Sequence, residues 1–352
     1  MNILDLNTGW CTESHGVSTV SAASDKPPAV APDARTRARD ATRGALPAGL
    51  LMTPETYCTE QAAPPGSALH YSMRGTPGRP RSLVIALHAL GSELARAAAA
   101  SHDPTVCAAR LHWWRGELER AQHGQAAHPV ARALADGLCH GDIEVDTLYA
   151  WIEASEADAI GLRPPDMTSL LAHARRAGAP LARSVARVLL RAEGRADQTV
   201  DENPWLGPAT DRLGAAGWLV AMLRDVGLDA RRGRVYLPID LMQSVGLPVA
   251  ALLAAASARN DIDPTTRSPV EDTRFDGLAR RLALAIDCLH AEGLDGIATG
   301  ARRALRPLLA MAGIERALLA EIAHDPGAVL HGRIALTPIR MLWISWRSSR
   351  GN

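Results

Sequence analysis

The sequence predicts an all-α protein, and three observations support that fold class. Alanine and leucine are abundant among the 352 residues, whereas aromatic residues make up only 4% of them. Apolar residues recur with a helical period through most of the chain after residue 80. Alternating strand patterns with hairpin turns are scarce, and no regular repeat is found. Because alanine and leucine favour helix over sheet, composition and pattern agree.

The first residues are predicted to lie outside the helical domain. Residues 1–50 are rich in Ser, Thr, Ala, Pro and Asp and show no sustained apolar period, which is typical of a disordered extension. Residues 51–352 form the predicted all-α domain. Its first helix is expected to begin at Pro54, with Thr53 as the cap and the proline at the first helical position.

Eight further segments carry a helical period, and proline or glycine residues separate them. In chain order they read RSLVIALHALGSELARAAAASH, PTVCAARLHWWRGELERAQHG, HPVARALADGLCHG, IEVDTLYAWIEASEADAIG, MTSLLAHARRAGAPLARSVARVLLRAEG, TRFDGLARRLALAIDCLHAEG, GARRALRPLLAMAGIERALLAEIAH and LTPIRMLWISWRSS.

Charge and cysteine usage exclude several classes of function. The formal net charge is zero, so no whole-chain field favours nucleic acid as a partner. The five cysteines are scattered without a CxxC pair, which argues against a zinc site or a disulfide framework. No apolar run reaches the roughly 18–20 residues that cross a bilayer, and no secretory signal is recognised. A cytoplasmic protein is therefore expected.

One stretch, LRDVGLDARRGRVYLP at 223–238, carries two aspartates four residues apart. On a helix, Asp225 and Asp229 would share one face. Like charges at that spacing weaken an isolated helix, so arginines or a bound metal ion are expected nearby. The alternative is a solvated helix end whose charges pair among themselves, an arrangement worth roughly 0–1 kcal/mol.

Five strings together resemble the squalene/phytoene synthase family, especially its bacterial presqualene diphosphate synthase branch. They are YCTEQAAPPGSALHYS, LHWWRGEL, HPVARAL, RDVGLDARRGRVYLP and LTPIRMLWISWR, in the family's order, over about residues 53–347. The resemblance implies an isoprenoid-synthase-like helical bundle around a central cavity. It also implies a prenyltransferase that joins two prenyl diphosphates of the farnesyl or geranylgeranyl type head to head.

The same resemblance implies a site for Mg²⁺ and diphosphate. Asp225 and Asp229 match the family's second acidic motif, which holds Mg²⁺. The positions that match its diphosphate contacts are Arg224, Arg231, Arg234 and Tyr236. Such a site has a clear physical purpose, because hard cations and arginines neutralise the charge of a leaving diphosphate.

The family pattern is broken at four positions. The two aspartates of the first acidic motif fall on Ala95 and Ala99, and a glutamine and an asparagine before the second motif are replaced by Trp218 and Ala221. Only a one-sided Mg²⁺ site is then expected. Since a single donor to developing charge is often worth roughly 3–4 kcal/mol, the loss of two aspartates weighs heavily against ordinary coupling.

Two functions remain open at this stage. One is a transferase of reduced or altered activity that uses one metal-bound prenyl diphosphate, and Asp225 and Asp229 favour it. The other is a catalytically inactive relative that binds prenyl diphosphate or acts as an assembly scaffold, which Ala95 and Ala99 favour. The basic, amphipathic C-terminal string LTPIRMLWISWRSSR predicts either peripheral membrane contact or a packed terminal helix, and packing is the favoured interpretation.

Overall fold

The computed structural model describes residues 52–350 apart from 102, 162, 195–204 and 258–268. Within that part of the chain the regular structure is helical and no strand occurs, so the all-α prediction is confirmed. The predicted disordered extension, residues 1–50, lies outside the described residues. None of the helices described is both long and apolar enough to span a bilayer.

The helices are numbered here in chain order. They are α1 Pro54–Ala62, α2 Ala68–Ser72, α3 Gly78–Ala98, α4 Pro104–Gln122, α5 Pro129–Cys139, α6 Val145–Ala159, α7 Met167–Ala192, α8 Leu206–Arg224, α9 Val226–Arg231, α10 Ile239–Ser244, α11 Val249–Ser257, α12 Pro269–Asp295, α13 Thr299–Arg302, α14 Arg306–His324, α15 Ala328–His331 and α16 Pro338–Arg350.

Helix starts follow local chemistry that the sequence carries. α1 begins at Pro54, as predicted. α4 begins with a proline after Asp103, whose carboxylate accepts a hydrogen bond from the backbone N–H of Thr105 at 2.8 Å. A capping oxygen and a proline at the first position satisfy or remove N–H groups that a helix start leaves unpaired. These local devices explain why the segment boundaries are readable in the sequence.

Helices α7 and α8 form the centre of the bundle and are buried along most of their length. They cross at Gly178 and Gly214, where a Cβ atom added to Gly178 would lie 2.1 Å from the carbonyl oxygen of Gly214. Only glycine allows the two backbones to approach so closely. α3 and α14 pack beside this pair, and these four helices together with α2 line a small apolar cavity. The close crossing keeps that cavity small.

Candidate functional site

The two aspartates of the acidic pair lie at the junction of α8 and α9. Asp225 ends α8 with φ −99° and ψ 9°, and the backbone N–H of Asp229 still donates to the carbonyl oxygen of Asp225 at 2.8 Å. The i+4 relation inferred from the sequence therefore survives the junction. Both residues are buried, at 1% and 3% exposure, so the pair is not a solvated helix end.

Two guanidinium groups hold the carboxylate of Asp225. Arg224 donates from Nε to Oδ1 at 2.9 Å and from Nη2 to Oδ2 at 2.6 Å. Arg333 donates from the same two atoms to the same two oxygens, at 3.0 and 3.3 Å. Charge-assisted, bidentate bonds of this kind are the strongest hydrogen bonds that proteins make. Each oxygen of Asp225 thus already has two positively charged donors.

Asp229 is less well satisfied than its neighbour. Its Oδ2 atom has no hydrogen-bond partner among the described residues, although the residue is buried. Burial, together with the negative charge of Asp225, raises the pKa of Asp229 to about 6. Arg232 and Arg234 act in the opposite direction, but desolvation is the largest effect. Asp229 is therefore the acid of the pair that retains an unused oxygen.

Arg234 spans the space between the acidic pair and the end of α3. Its Nη2 donates to the carbonyl oxygen of Ala98 at 2.6 Å. Ala98 is the last residue of α3, and Ala95 and Ala99, where the first acidic motif would be, flank it. Glu93 is turned elsewhere, since its Oε1 accepts the hydroxyl of Tyr57 at 2.8 Å. The end of α3 is therefore bound to the guanidinium of Arg234.

Three aromatic rings pack together in the interior beside the acidic pair. Trp218 is 1% exposed and lies edge-on to Tyr236 and His173, with ring centroids 5.7 and 4.9 Å apart. The Nε2 atom of His173 lies 2.9 Å from Oδ1 of Asp158. The hydroxyl of Tyr236 has no hydrogen-bond partner in the described structure, and burial raises the pKa of Tyr236 well above its usual value. The indole of Trp218 thus packs against both of the other rings.

The voids left around these residues are small. The polar one, lined by Asp229, Arg234 and Tyr236, has a volume of about 10 Å³, room for about one water molecule. The apolar one, lined by Trp218 and His88, has a volume of about 60 Å³. Burial lowers the pKa of His88 to about 3, so this histidine is neutral. Ligand pockets are commonly about 300–1,000 Å³, and neither void approaches that size.

The side chains present do not fit a magnesium ion. Mg²⁺ requires near-octahedral oxygen ligands, usually including one or two carboxylates. Both oxygens of Asp225 face guanidinium groups, and Ala95 and Ala99 offer no ligand from α3. Within the described ranges no group of three or more His, Cys, Asp or Glu side chains could hold a metal. Magnesium binding by Asp225 and Asp229 stays a prediction that the free oxygen of Asp229 alone favours.

The other predicted contacts are only partly brought together. Arg234 and Tyr236 lie beside Asp229, whereas Arg224 is hydrogen-bonded to Asp225. Arg231 instead donates to the carbonyl oxygens of Ala256 and Leu330, both at 3.3 Å. Arg231 thus binds backbone carbonyl oxygens and does not line the void beside Asp229.

Two features of the site were missed from the sequence. Arg333 lies 108 residues after Asp225, between α15 and α16, and no local pattern points to that pairing. The packing of Trp218 against His173 likewise depends on α7 and α8 meeting in space. Ala221, which is 4% exposed, has no side-chain polar group. Only the presence of an arginine or a tryptophan was readable, not its partner.

Known proteins resemble the chain over most of its length. A family model described as squalene/phytoene synthase matches residues 64–340. A phytoene synthase of Cereibacter sphaeroides is 28% identical over 258 residues, which are 71% of this chain and 66% of that relative, just under two thirds of its length.

Two crystal structures share the fold. A dehydrosqualene synthase in complex with ligand gives a TM-score of 0.63 at 20% identity, over 84% of this chain and 95% of that one. Squalene synthase HpnC from Alicyclobacillus acidocaldarius gives 0.56 at 18% identity, over 78% of this chain and 94% of its own. The predicted isoprenoid-synthase fold is confirmed.

Proposed function

Because the chain belongs to the squalene/phytoene synthase family, we propose that it is a member without head-to-head coupling activity, acting as a binding or assembly protein on the family's helical scaffold. The observation that carries this proposal is the neutralisation of Asp225 by Arg224 and Arg333. A carboxylate that already accepts four hydrogen bonds from guanidinium groups has no electron pair directed at a substrate-bound cation.

The closed interior supports the same proposal. Coupling two prenyl diphosphates requires space for two apolar chains and hard cations on the diphosphates. The apolar void holds about 60 Å³, and the indole of Trp218 forms part of its wall. Family substrates are prenyl diphosphates, but an interior of this size has no room for one. A partner of such a scaffold would therefore bind at the surface.

A second candidate function is a transferase of reduced activity with a one-sided Mg²⁺ site. One observation favours it, namely the unpartnered Oδ2 atom of Asp229 beside Arg234 and Tyr236. For a prenyl diphosphate to bind there, Arg333 would have to release Asp225, and Trp218 would have to rotate out of the interior.

The two candidates are distinguished by diphosphate release. Purified protein is incubated with farnesyl or geranylgeranyl diphosphate and Mg²⁺, and released diphosphate is measured. The scaffold proposal expects no release above the protein-free rate. Release that depends on Mg²⁺ and disappears in the Asp225→Asn variant would support the transferase instead.

A restored variant tests whether the motif alone was lost. Ala95→Asp combined with Ala99→Asp replaces the missing carboxylates on α3. This double variant is expected to stay inactive, because Trp218 and Arg333 still close the site. Activity gained from these two changes alone would show that the interior opens readily, contrary to the proposal.

We also propose a cytoplasmic location with peripheral membrane contact through α16. One face of this helix packs on α14, where Ile344 lies against Gly313. The packed terminal helix expected from the sequence is therefore present. Its other face leaves Ile339 80% exposed and Trp343 53% exposed, which is typical of a helix lying in a membrane interface.

A further inference from the structure

A wide groove lies on the surface beside α16. It has a volume of about 1120 Å³ and is bounded by residues 71–80, the end of α7, residues 303–310 and α16. Ser72 and Pro307 line both this groove and the small apolar void under Trp218, so the two adjoin. The groove is much larger than either void around the acidic pair. It has the size of a ligand site.

Three exposed arginines surround the groove without a partner. Arg74, Arg303 and Arg306 all line it, and none of their guanidinium groups makes an ion pair or hydrogen bond with another described residue. The carboxylate among the lining residues is that of Glu193, which is also exposed and unpaired. The groove therefore carries an excess of positive charge. Guanidinium groups in this state are well suited to bind phosphate oxygens.

Another part of the groove lining is apolar and aromatic. It includes Ile339, Leu342, Trp343 and Trp346 of α16, each between 37% and 80% exposed. The guanidinium carbon of Arg347 lies 5.4 Å from the centroid of the Trp343 ring. Indole rings flanked by arginine are favoured where hydrocarbon meets charged head groups. Positive charge and apolar surface thus border the same groove.

We propose that this groove binds an anionic phospholipid at a membrane surface, with the three arginines on the phosphate head group and the apolar wall along an acyl chain. The inference rests on the proposed membrane contact and adds the lipid class and the residues that select it. Charge complementarity decides between occupants, since three unpaired guanidinium groups and one carboxylate among the described lining residues favour an anionic partner.

Vesicle flotation with the full-length protein tests the proposal. Vesicles of phosphatidylcholine alone are compared with vesicles of phosphatidylcholine and phosphatidylglycerol in equal amounts. Binding is expected to the anionic vesicles, to be much weaker to the neutral ones, and to decline with added salt. Each arginine near an anionic surface is worth roughly fivefold in binding, so Arg303→Ala with Arg306→Ala is expected to bind roughly 25-fold more weakly.

Matched variants separate this effect from a change in fold. Arg110→Ala with Arg132→Ala removes two exposed arginines of α4 and α5 that do not line the groove, and binding is expected to be unchanged. Trp343→Ala should weaken binding, whereas Trp113→Ala, 46% exposed on α4, should not. Circular dichroism melting checks that every variant is folded.

Each outcome bears on a different claim. Absence of binding to any vesicle overturns both the membrane contact and the lipid site. Equal binding to neutral and anionic vesicles leaves the contact standing but overturns the lipid site, as does unchanged binding of the double arginine variant. Binding of monomeric farnesyl diphosphate in EDTA without vesicle binding assigns the groove to free diphosphate and overturns the proposal. None of these results depends on whether the protein couples prenyl diphosphates.

Discussion

The acidic pair and the groove use arginine in opposite ways. At the acidic pair, Arg224 and Arg333 neutralise a buried carboxylate. In the groove, Arg303 and Arg306 are exposed and make no ion pair with a described residue. A charge taken out of water must be paired, whereas an exposed one is available to a partner. On the proposals made above, the groove would bind a partner, while the acidic pair would serve the fold as a buried ion cluster.

The largest expected effect is the loss of the buried carboxylate. Asp225→Ala removes a buried carboxylate that binds Arg224, which is 1% exposed, and should lower the free energy of unfolding by about 3–5 kcal/mol. Asp287→Ala is the matched control, because Arg316 binds Asp287 through two bonds of 2.7 and 3.0 Å at an exposed site. The control should cost less than about 1 kcal/mol. Urea denaturation measures the free energy of unfolding of both variants. Equal losses would show that the buried ion pair of Asp225 contributes no more to stability than an exposed one.

The next effect concerns the helix crossing that keeps the interior small. Gly178→Ala places a Cβ atom against the backbone of Gly214 and should destabilise the protein by about 3 kcal/mol. Gly277→Ala, in α12 with nothing within 4 Å of the added atom, should instead stabilise it by about 0.5–1 kcal/mol. Thermal melting of the two variants gives the comparison. A tolerated Gly178→Ala would mean that α7 and α8 separate easily.

Asp229 should make stability depend on pH. Its pKa is raised to about 6 from 3.8, so the folded protein holds this proton more tightly than the unfolded chain. The resulting stabilisation is complete below about pH 4 and is lost as pH rises through 6, a change of about 3 kcal/mol. Asp229→Asn should therefore gain stability relative to the wild type between pH 4 and pH 7.

The free energy of unfolding of Asp229→Asn is compared with that of the wild type at each pH. The difference between them removes the pH dependence due to His88, which has the opposite sign. The pKa of His88 is lowered to about 3, so its share of the stability is present above pH 6.5 and is lost on acidification. Both proteins contain His88, and its effect cancels. A difference that stays constant with pH would mean that Asp229 is not buried beside Asp225.

The smallest effect on stability is expected at the groove. Arg303→Ala and Arg306→Ala remove exposed side chains with no described partner, so the free energy of unfolding should change by no more than about 0.5 kcal/mol. Urea denaturation should therefore superpose with the wild type even where vesicle binding is lost. A loss comparable with that of Asp225→Ala would place these arginines in the fold instead of in binding.

The fold was predictable because it rests on local pattern. Helical periodicity and proline at helix starts, as at Pro54, act within a few residues and can be read in order. The four-residue spacing of Asp225 and Asp229 likewise predicted that the two carboxylates lie close together. Such features need no knowledge of the tertiary structure.

The closure of the site was not predictable, because it depends on residues distant in sequence. Arg333 reaches Asp225 from 108 residues away, and Arg234 reaches Ala98 from 136 residues away. The family resemblance placed the first acidic motif at Ala95 and Ala99, but it did not predict the guanidinium groups that pair with Asp225. Tertiary contacts decide which charged groups pair with each other, and the pattern of residues along a single sequence does not contain that information.

The most direct test of the central claim is calorimetric titration of the wild-type protein with farnesyl diphosphate in the presence and absence of Mg²⁺. Since Arg224 and Arg333 already neutralise Asp225, the heat of binding should not depend on Mg²⁺. Mg²⁺-dependent binding that is lost in the Asp225→Asn variant would contradict the account, because it would show that the acidic pair still binds a metal ion.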